Sequence, residues 1–356
     1  MAQIYNTHVH VPPNFSAFAT PAELIAQASA EHVSLLGVSN FYDQSVYSVV
    51  KDLAGQAGMT ILYGLEIITV LPDLRERGIR VNDPANPGRM YLTGKGIDPF
   101  AAPSPRTAQI LAQIRRGNDS RAEQMVALAA QLFAGLGFDT GLDAQTLIAR
   151  VAHRAHVPKA WVSLQERHIA QALQEELEVL PPDERAVLLQ SAYGTPVRAD
   201  LTDPAAVQAE IRSRLLKAGT PCFAEEVDVS FEDAYSAILD MGGIPCYPIL
   251  ADGCNPICGF EASPQELARN LKELGIPAAE FIPGRNHRAL VDDYARVLTD
   301  AGLILMAGTE HNTADKIPFE PVCADGPISE TTRSIFAQGA RAALIHAAST
   351  GKSKEA

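Results

Sequence analysis

The feature that most constrains this chain is a change of texture in its middle. On either side, short apolar runs alternate with helical patterns, the signature of βα units around a sheet. From about Pro105 to Ala218, Ala, Leu, Gln, Glu and Arg recur instead with helical periodicity. Breaks fall at Gly117-Asn118, between Gly135 and Gly141, at Pro158, at Pro181-Pro182 and between Gly194 and Pro196. The pattern predicts one α/β body built from residues 1–104 and 219–348, an all-helical insertion of five or six helices at 105–218, and a frayed tail at 349–356.

Strands are expected at Gln3 to Asn6, Val33 to Ser39, Thr60 to Val70 and Met90 to Thr93. After the insertion they are expected at Ile244 to Leu250, Glu280 to Ile282 and Leu303 to Ala307. Three helix starts carry a hydroxyl cap with an acid three residues on: Thr20 with Glu23, Ser230 with Asp233, and Ser263 with Glu266. Further helices are expected from Arg288 to Ala301 and from Ile328 to Ala347.

Composition excludes several classes of function. The chain has 356 residues, 47% of them hydrophobic and 20% charged, which is enough to bury a sizeable core. A formal net charge of −13, with no Lys/Arg cluster interleaved with aromatics, argues against nucleic acid as a partner. The longest apolar stretch, Met59 to Leu71, is interrupted by Thr60, Glu66 and Thr69 and falls short of a membrane span, so no membrane partner is expected. The first residues enter a strand without a basic and then apolar leader, and a cytoplasmic location follows. The five cysteines, with Cys254 and Cys258 too far apart for a common zinc knuckle, read as reduced and mostly buried thiols.

Chemistry concentrates at a few positions. His8-Val9-His10 ends the first strand, where residues two apart share a face and can grip one ion; the plainer alternative is two solvated histidines. Glu66 interrupts the apolar strand Ile61 to Ile68, where a carboxylate needs a cation, either a metal or a neighbouring arginine. Glu310-His311-Asn312 follows the apolar strand ending at Ala307, at the strand end where barrels build their sites, and reads otherwise as a polar loop.

In this order, the elements resemble the PHP (polymerase and histidinol phosphatase) superfamily. Its usual motifs are H-x-H, T-D-H, G-x-E, A-H-P and G-S-D-x-H. Tyr91-Leu92-Thr93-Gly94-Lys95-Gly96-Ile97-Asp98 resembles the family's H-L-L-G-x-G-I-D, and Arg167 to Leu173 resembles its R-P-H-I-A-R-x-L helix. Ser230 to Pro248 is similar to the segment leading into A-H-P. The match is colinear over most of the chain and implies a distorted (β/α)7 TIM-like barrel with an all-helical insertion. The departures are grouped: Phe15, Ser39-Asn40-Phe41, Tyr91, Tyr247 and Asn312 stand where the family carries ligands of its other metals.

The resemblance implies one remaining metal position, with His8, His10, Glu66 and Glu310 as ligands. Two imidazoles and two carboxylates suit one divalent ion, Zn²⁺ or Mn²⁺. His311 is the alternative last ligand, and together with Tyr91 and Tyr247 it is a candidate catalytic group. Arg89, Lys95, Arg285, His287 and His168 are candidates for holding a small anionic metabolite. The expected activity is hydrolysis of a phosphoester in a small metabolite. The rivals are an amidohydrolase or lyase with one metal and a barrel that binds without turnover.

Overall fold

The computed structural model describes residues 3–353. Seven strands form one sheet in chain order: β1 (Ile4–Val9), β2 (Val33–Phe41), β3 (Thr60–Val70), β4 (Arg89–Lys95), β5 (Ile244–Ile249), β6 (Ala278–Phe281) and β7 (Ile304–Ala307). Pairing is parallel except at β4, which runs against both β3 and β5 and so distorts the (β/α)7 pattern. The sheet nearly closes on itself. Glu310 N–H donates to the His8 carbonyl at 2.8 Å, and His10 N–H donates to the Glu310 carbonyl at 2.9 Å.

The helices on the barrel are α1 (Pro21–Ala30), α2 (Tyr47–Ala57) and the short α3 (Pro72–Glu76). Between β4 and β5 come α4 (Pro105–Gly135), α5 (Ala144–Ala155), α6 (Glu166–Leu177), α7 (Pro182–Tyr193) and α8 (Pro204–Ile211). The chain then returns to the barrel with α9 (Phe231–Asp240), α10 (Pro264–Glu273), α11 (Arg288–Asp300) and α12 (Glu330–Ser353). The three expected caps form: Thr20, Ser230 and Ser263 accept from the N–H groups of Glu23, Asp233 and Glu266 at 3.1, 3.1 and 3.2 Å. Helices α4 to α8 bury an apolar core of their own around Phe133, Leu173 and Leu189. Leu35, Leu62, Cys246 and Met306 fill the start of the barrel interior beneath Ala343 of α12. No helix among the described residues is long and apolar enough to cross a membrane.

Two expectations are corrected. The break expected at Gly117-Asn118 does not occur, and α4 runs straight through it. A Cβ at Gly117 would lie 2.2 Å from Val227, and the Asn118 amide donates to Ser163 Oγ and the Leu164 carbonyl at 2.8 and 3.0 Å. Tertiary contacts therefore use the two residues that local preference assigns to a turn. The closing helix continues past Ala347 to Ser353, so part of the expected tail is helical; 354–356 lie outside the described residues.

The seam needs a residue without a side chain at position 308, where a Cβ would stand 2.3 Å from His8 Cβ. Gly308→Ala is expected to cost about 3 kcal/mol, the upper end of over-packing penalties, measured by urea unfolding. A loss below about 0.5 kcal/mol, within the range of surface substitutions, would show that the seam is slack.

Candidate metal centre and cavity

The end of β1 and the middle of β3 bring His8, His10 and Glu66 together. Each offers a ligand atom within 4.8 Å of the others, and all three residues are buried. Glu66 Oε2 lies 3.9 Å from His8 Nε2 and 3.6 Å from His10 Nε2. His8 Nδ1 is 2.9 Å from Glu280 Oε1 on β6, while its Nε2 and both nitrogens of His10 have no partner although buried. The His10 ring stacks on Phe41, centroids 5.1 Å apart.

Electrostatics reinforce the geometry. Burial pushes Glu66 well above the usual carboxylate range, and the nearby Glu310 and Glu280 add to the shift. Burial, with His8 next in size, depresses His10 to about 3, which leaves it neutral with one ring nitrogen free to donate a lone pair. Two imidazoles, each with one lone pair to offer, beside a destabilised carboxylate fit a divalent cation in chemistry and in spacing.

His10, Glu66 and Glu310 open onto a cavity of about 360 Å³ between the barrel mouth, helices α4 and α6 and the segment that follows α8. Glu310 shares this cavity but does not complete the close trio. Arg285 grips its carboxylate with both terminal nitrogens, one at 2.8 Å, and Asn312 donates to it at 2.5 Å. Burial opposes ionisation of Glu310, yet Arg285 and the two histidines hold its pKa near 2. Tyr91 also lines the cavity, and burial and then Asp83 push its phenol well above its ordinary range.

Other expected site residues lie elsewhere. His311 packs against Phe18 and Phe319, which also touch each other, and its ring nitrogens are engaged by Thr309 Oγ1 and the Ile317 carbonyl, away from the trio and the cavity. Tyr247 points out of the barrel because its neighbours Cys246 and Pro248 face inward, and its hydroxyl donates to Glu261 at 2.8 Å. Lys95 is sealed inside the barrel. Arg89 is taken by Glu226 and Asp228. His287 sits exposed, 3.0 Å from Asp252. His168 caps α6, its Nδ1 accepting from Gln165 N–H at 3.0 Å.

Besides Arg285, the cations lining the cavity are residues that the sequence reading did not single out, and they stand among the carboxylates of Asp83, Glu166 and Glu226. Glu166 pairs with Arg121 at 2.8 Å, Arg212 at 3.0 Å and Lys217 at 2.8 Å; burial opposes its ionisation, but these cations hold it near 2. Arg167 faces the cavity with no carboxylate in salt-bridge range among the described residues, its nearest acceptor being Asn312 Oδ1 at 3.5 Å. Burial and then Arg212 lower its pKa to about 10. Arg167 lies in the same motif as His168, and that motif was its one signal. Arg212 and Lys217 carried none.

Neither a scan against protein-family models nor a search of the curated proteins gives a match. Among solved structures, the chain is similar to one described as a metal-dependent phosphoesterase from Bifidobacterium adolescentis. Identity is 15%, TM-score 0.61, and the match covers 95% of this chain and 97% of that one. It is also similar to an amidohydrolase from Chromobacterium violaceum, solved with bound sulfate and no metal. There identity is 18%, TM-score 0.59, and coverage 93% and 96%. At these identities the likeness shows the fold alone, and it spans nearly the whole of each chain.

Burial, with Arg154 next, lowers the pKa of His168 from 6.5 to about 3. Below pH 6.5 the unfolded chain therefore takes up a proton that the folded chain refuses, and stability falls as pH drops through this window. Melting temperature should decline between about pH 6.5 and pH 4, and His168→Gln, which keeps an acceptor at the cap, should flatten part of that slope. An unchanged slope would mean that His168 does not carry it.

Proposed function

We propose that this chain is a metal-dependent hydrolase of PHP type that holds a single divalent ion, Zn²⁺ or Mn²⁺, and cleaves a phosphoester in a small anionic metabolite. The observation that carries the reading is the set of buried, unpartnered nitrogens of His8 and His10 facing the Glu66 carboxylate on the wall of a cavity. When bound, the ion supplies Lewis acidity toward a substrate oxygen and favours ionisation of nearby water.

The count of one follows from what fills the remaining positions. The Asn40 amide closes on both backbone groups of Val11, at 2.8 and 2.9 Å, and Phe41 covers a face of His10. These side chains donate no further metal ligands. Glu310 then serves to hold Arg285 toward the cavity.

An anionic substrate is supported by charge placement. Arg121, Arg212, Lys217 and Arg285 line the mouth paired with the carboxylates of Glu166, Glu226 and Glu310, and Arg167 stands among them with no carboxylate partner among the described residues. Guanidinium suits the planar recognition of phosphate oxygens. Phe15, Phe41, Tyr42 and Ile68 supply an apolar wall that excludes water from the remainder of the substrate. A volume of about 360 Å³ admits a metabolite of ordinary size. The five cysteines are all free, in keeping with the cytoplasmic location we assign.

Protein purified without chelator should carry about one equivalent of metal, as expected of a single site, and His8→Ala/His10→Ala should carry none. With metal restored, a panel of phosphoesters, amides and lactones should show turnover of phosphoesters. Arg167→Ala should raise KM for the best of them about 10- to 100-fold, the loss of one charge-assisted contact. Turnover of amides or lactones alone would replace the phosphoester reading, and metal-loaded protein inactive on the whole panel would favour a binding module.

A further inference from the structure

Beneath the cavity lies a pair of charges that the ligands themselves do not require. Lys95 and Glu280 are fully buried inside the barrel, with Nζ 2.7 Å from Glu280 Oε2. Nζ also donates to the Thr7 carbonyl at 3.0 Å and to Ser39 Oγ at 3.2 Å, and its contact with Glu280 Oε2 is an ion pair in which that oxygen has no other partner. The other oxygen of Glu280 lies 2.9 Å from His8 Nδ1 and 3.0 Å from Thr93 Oγ1.

A buried ion pair gains nothing over apolar side chains of the same volume. The surroundings, with Leu35, Leu62, Cys246 and Met306 nearby in the barrel interior, would accept such a filling. The pair is therefore explained by what it does to a third group, and the ionisable ring it touches is His8. Resting on the metal-centre reading above, we propose that Glu280 and Lys95 are positioning residues for that centre. Glu280 accepts the Nδ1 proton of His8, so the Nε2 lone pair faces Glu66 and the cavity, and Lys95 holds the far oxygen of Glu280 so that the carboxylate keeps this orientation.

The donor and acceptor inventory makes the proposal specific. In Glu280→Gln, Lys95 claims the one remaining oxygen and the amide N–H₂ turns toward His8 Nδ1. That nitrogen must then accept, its proton moves to Nε2, and the lone pair that would bind the ion is lost. Second-shell losses of this kind weaken metal binding by about 10- to 100-fold.

The test is a competition titration of Zn²⁺ and Mn²⁺ against a chromogenic chelator, on apo-protein and without reference to activity. Glu280→Gln and Lys95→Met should each weaken binding by about 10-fold or more. The double variant, in which the glutamine is free to turn its oxygen back to His8, should bind no more weakly than Glu280→Gln alone. Nitrogen-15 spectra of wild-type apo-protein should show His8 protonated at Nδ1, a measurement that needs no variant to fold. Wild-type affinity in both single variants, or a proton on Nε2, overturns the positioning role while the metal centre stands. A wild-type protein that binds neither ion defeats both.

Discussion

The site depends on one backbone atom, the carbonyl oxygen of His8. It accepts from Thr309 N–H at 3.1 Å and Glu310 N–H at 2.8 Å, and these bonds tie the end of β1 to the chain leaving β7. Closing the seam brings both histidines and Glu310 to one rim and places β6 behind His8. The chain then turns sharply: Glu310 and His311 take φ of 59° and 48°, a left-handed conformation that costs a residue with a side chain. That turn aims the Glu310 carboxylate at Arg285 and sends His311 the other way, into the aromatic stack with Phe18 and Phe319.

Two parts of the chain then divide the work. The barrel presents lone pairs and a carboxylate from β1 and β3, groups suited to a cation. The insertion between β4 and β5 presents Arg121, Arg167, Arg212 and Lys217, groups suited to an anion. A strongly acidic chain repels anions at long range, so its positive groups must be concentrated where an anion is to be held. Glu166 makes this possible, because one carboxylate neutralises part of three cations and keeps them in fixed positions beside Arg167.

Much of the fold was legible because its signals are local. Apolar runs and hydroxyl caps each act within a few residues, and the strands and helices fall close to where these signals place them. The metal trio was legible for a different reason: two histidines of one face and a carboxylate in an apolar strand are costly unless a cation joins them. What failed was direction. Tyr247 and Lys95 sit in motifs that resemble the expected ones, yet only the register of the sheet decides which face a strand residue takes, and they lie outside and within the barrel. Gly117-Asn118 failed because contacts with Val227, Ser163 and Leu164 override a local preference. Apart from Arg285, the cations of the cavity wall were hidden because they converge from separate segments of the insertion, and no spacing in the sequence announces such a meeting.

The account stands on one cation gripped by three side chains, and an anomalous difference map tests this directly. Crystals grown with Zn²⁺ or Mn²⁺ should show one strong peak roughly 2.0 to 2.2 Å from His8 Nε2, a His10 nitrogen and a Glu66 oxygen. A map with no peak there, or with further peaks beside Phe41 and Asn40, would contradict it.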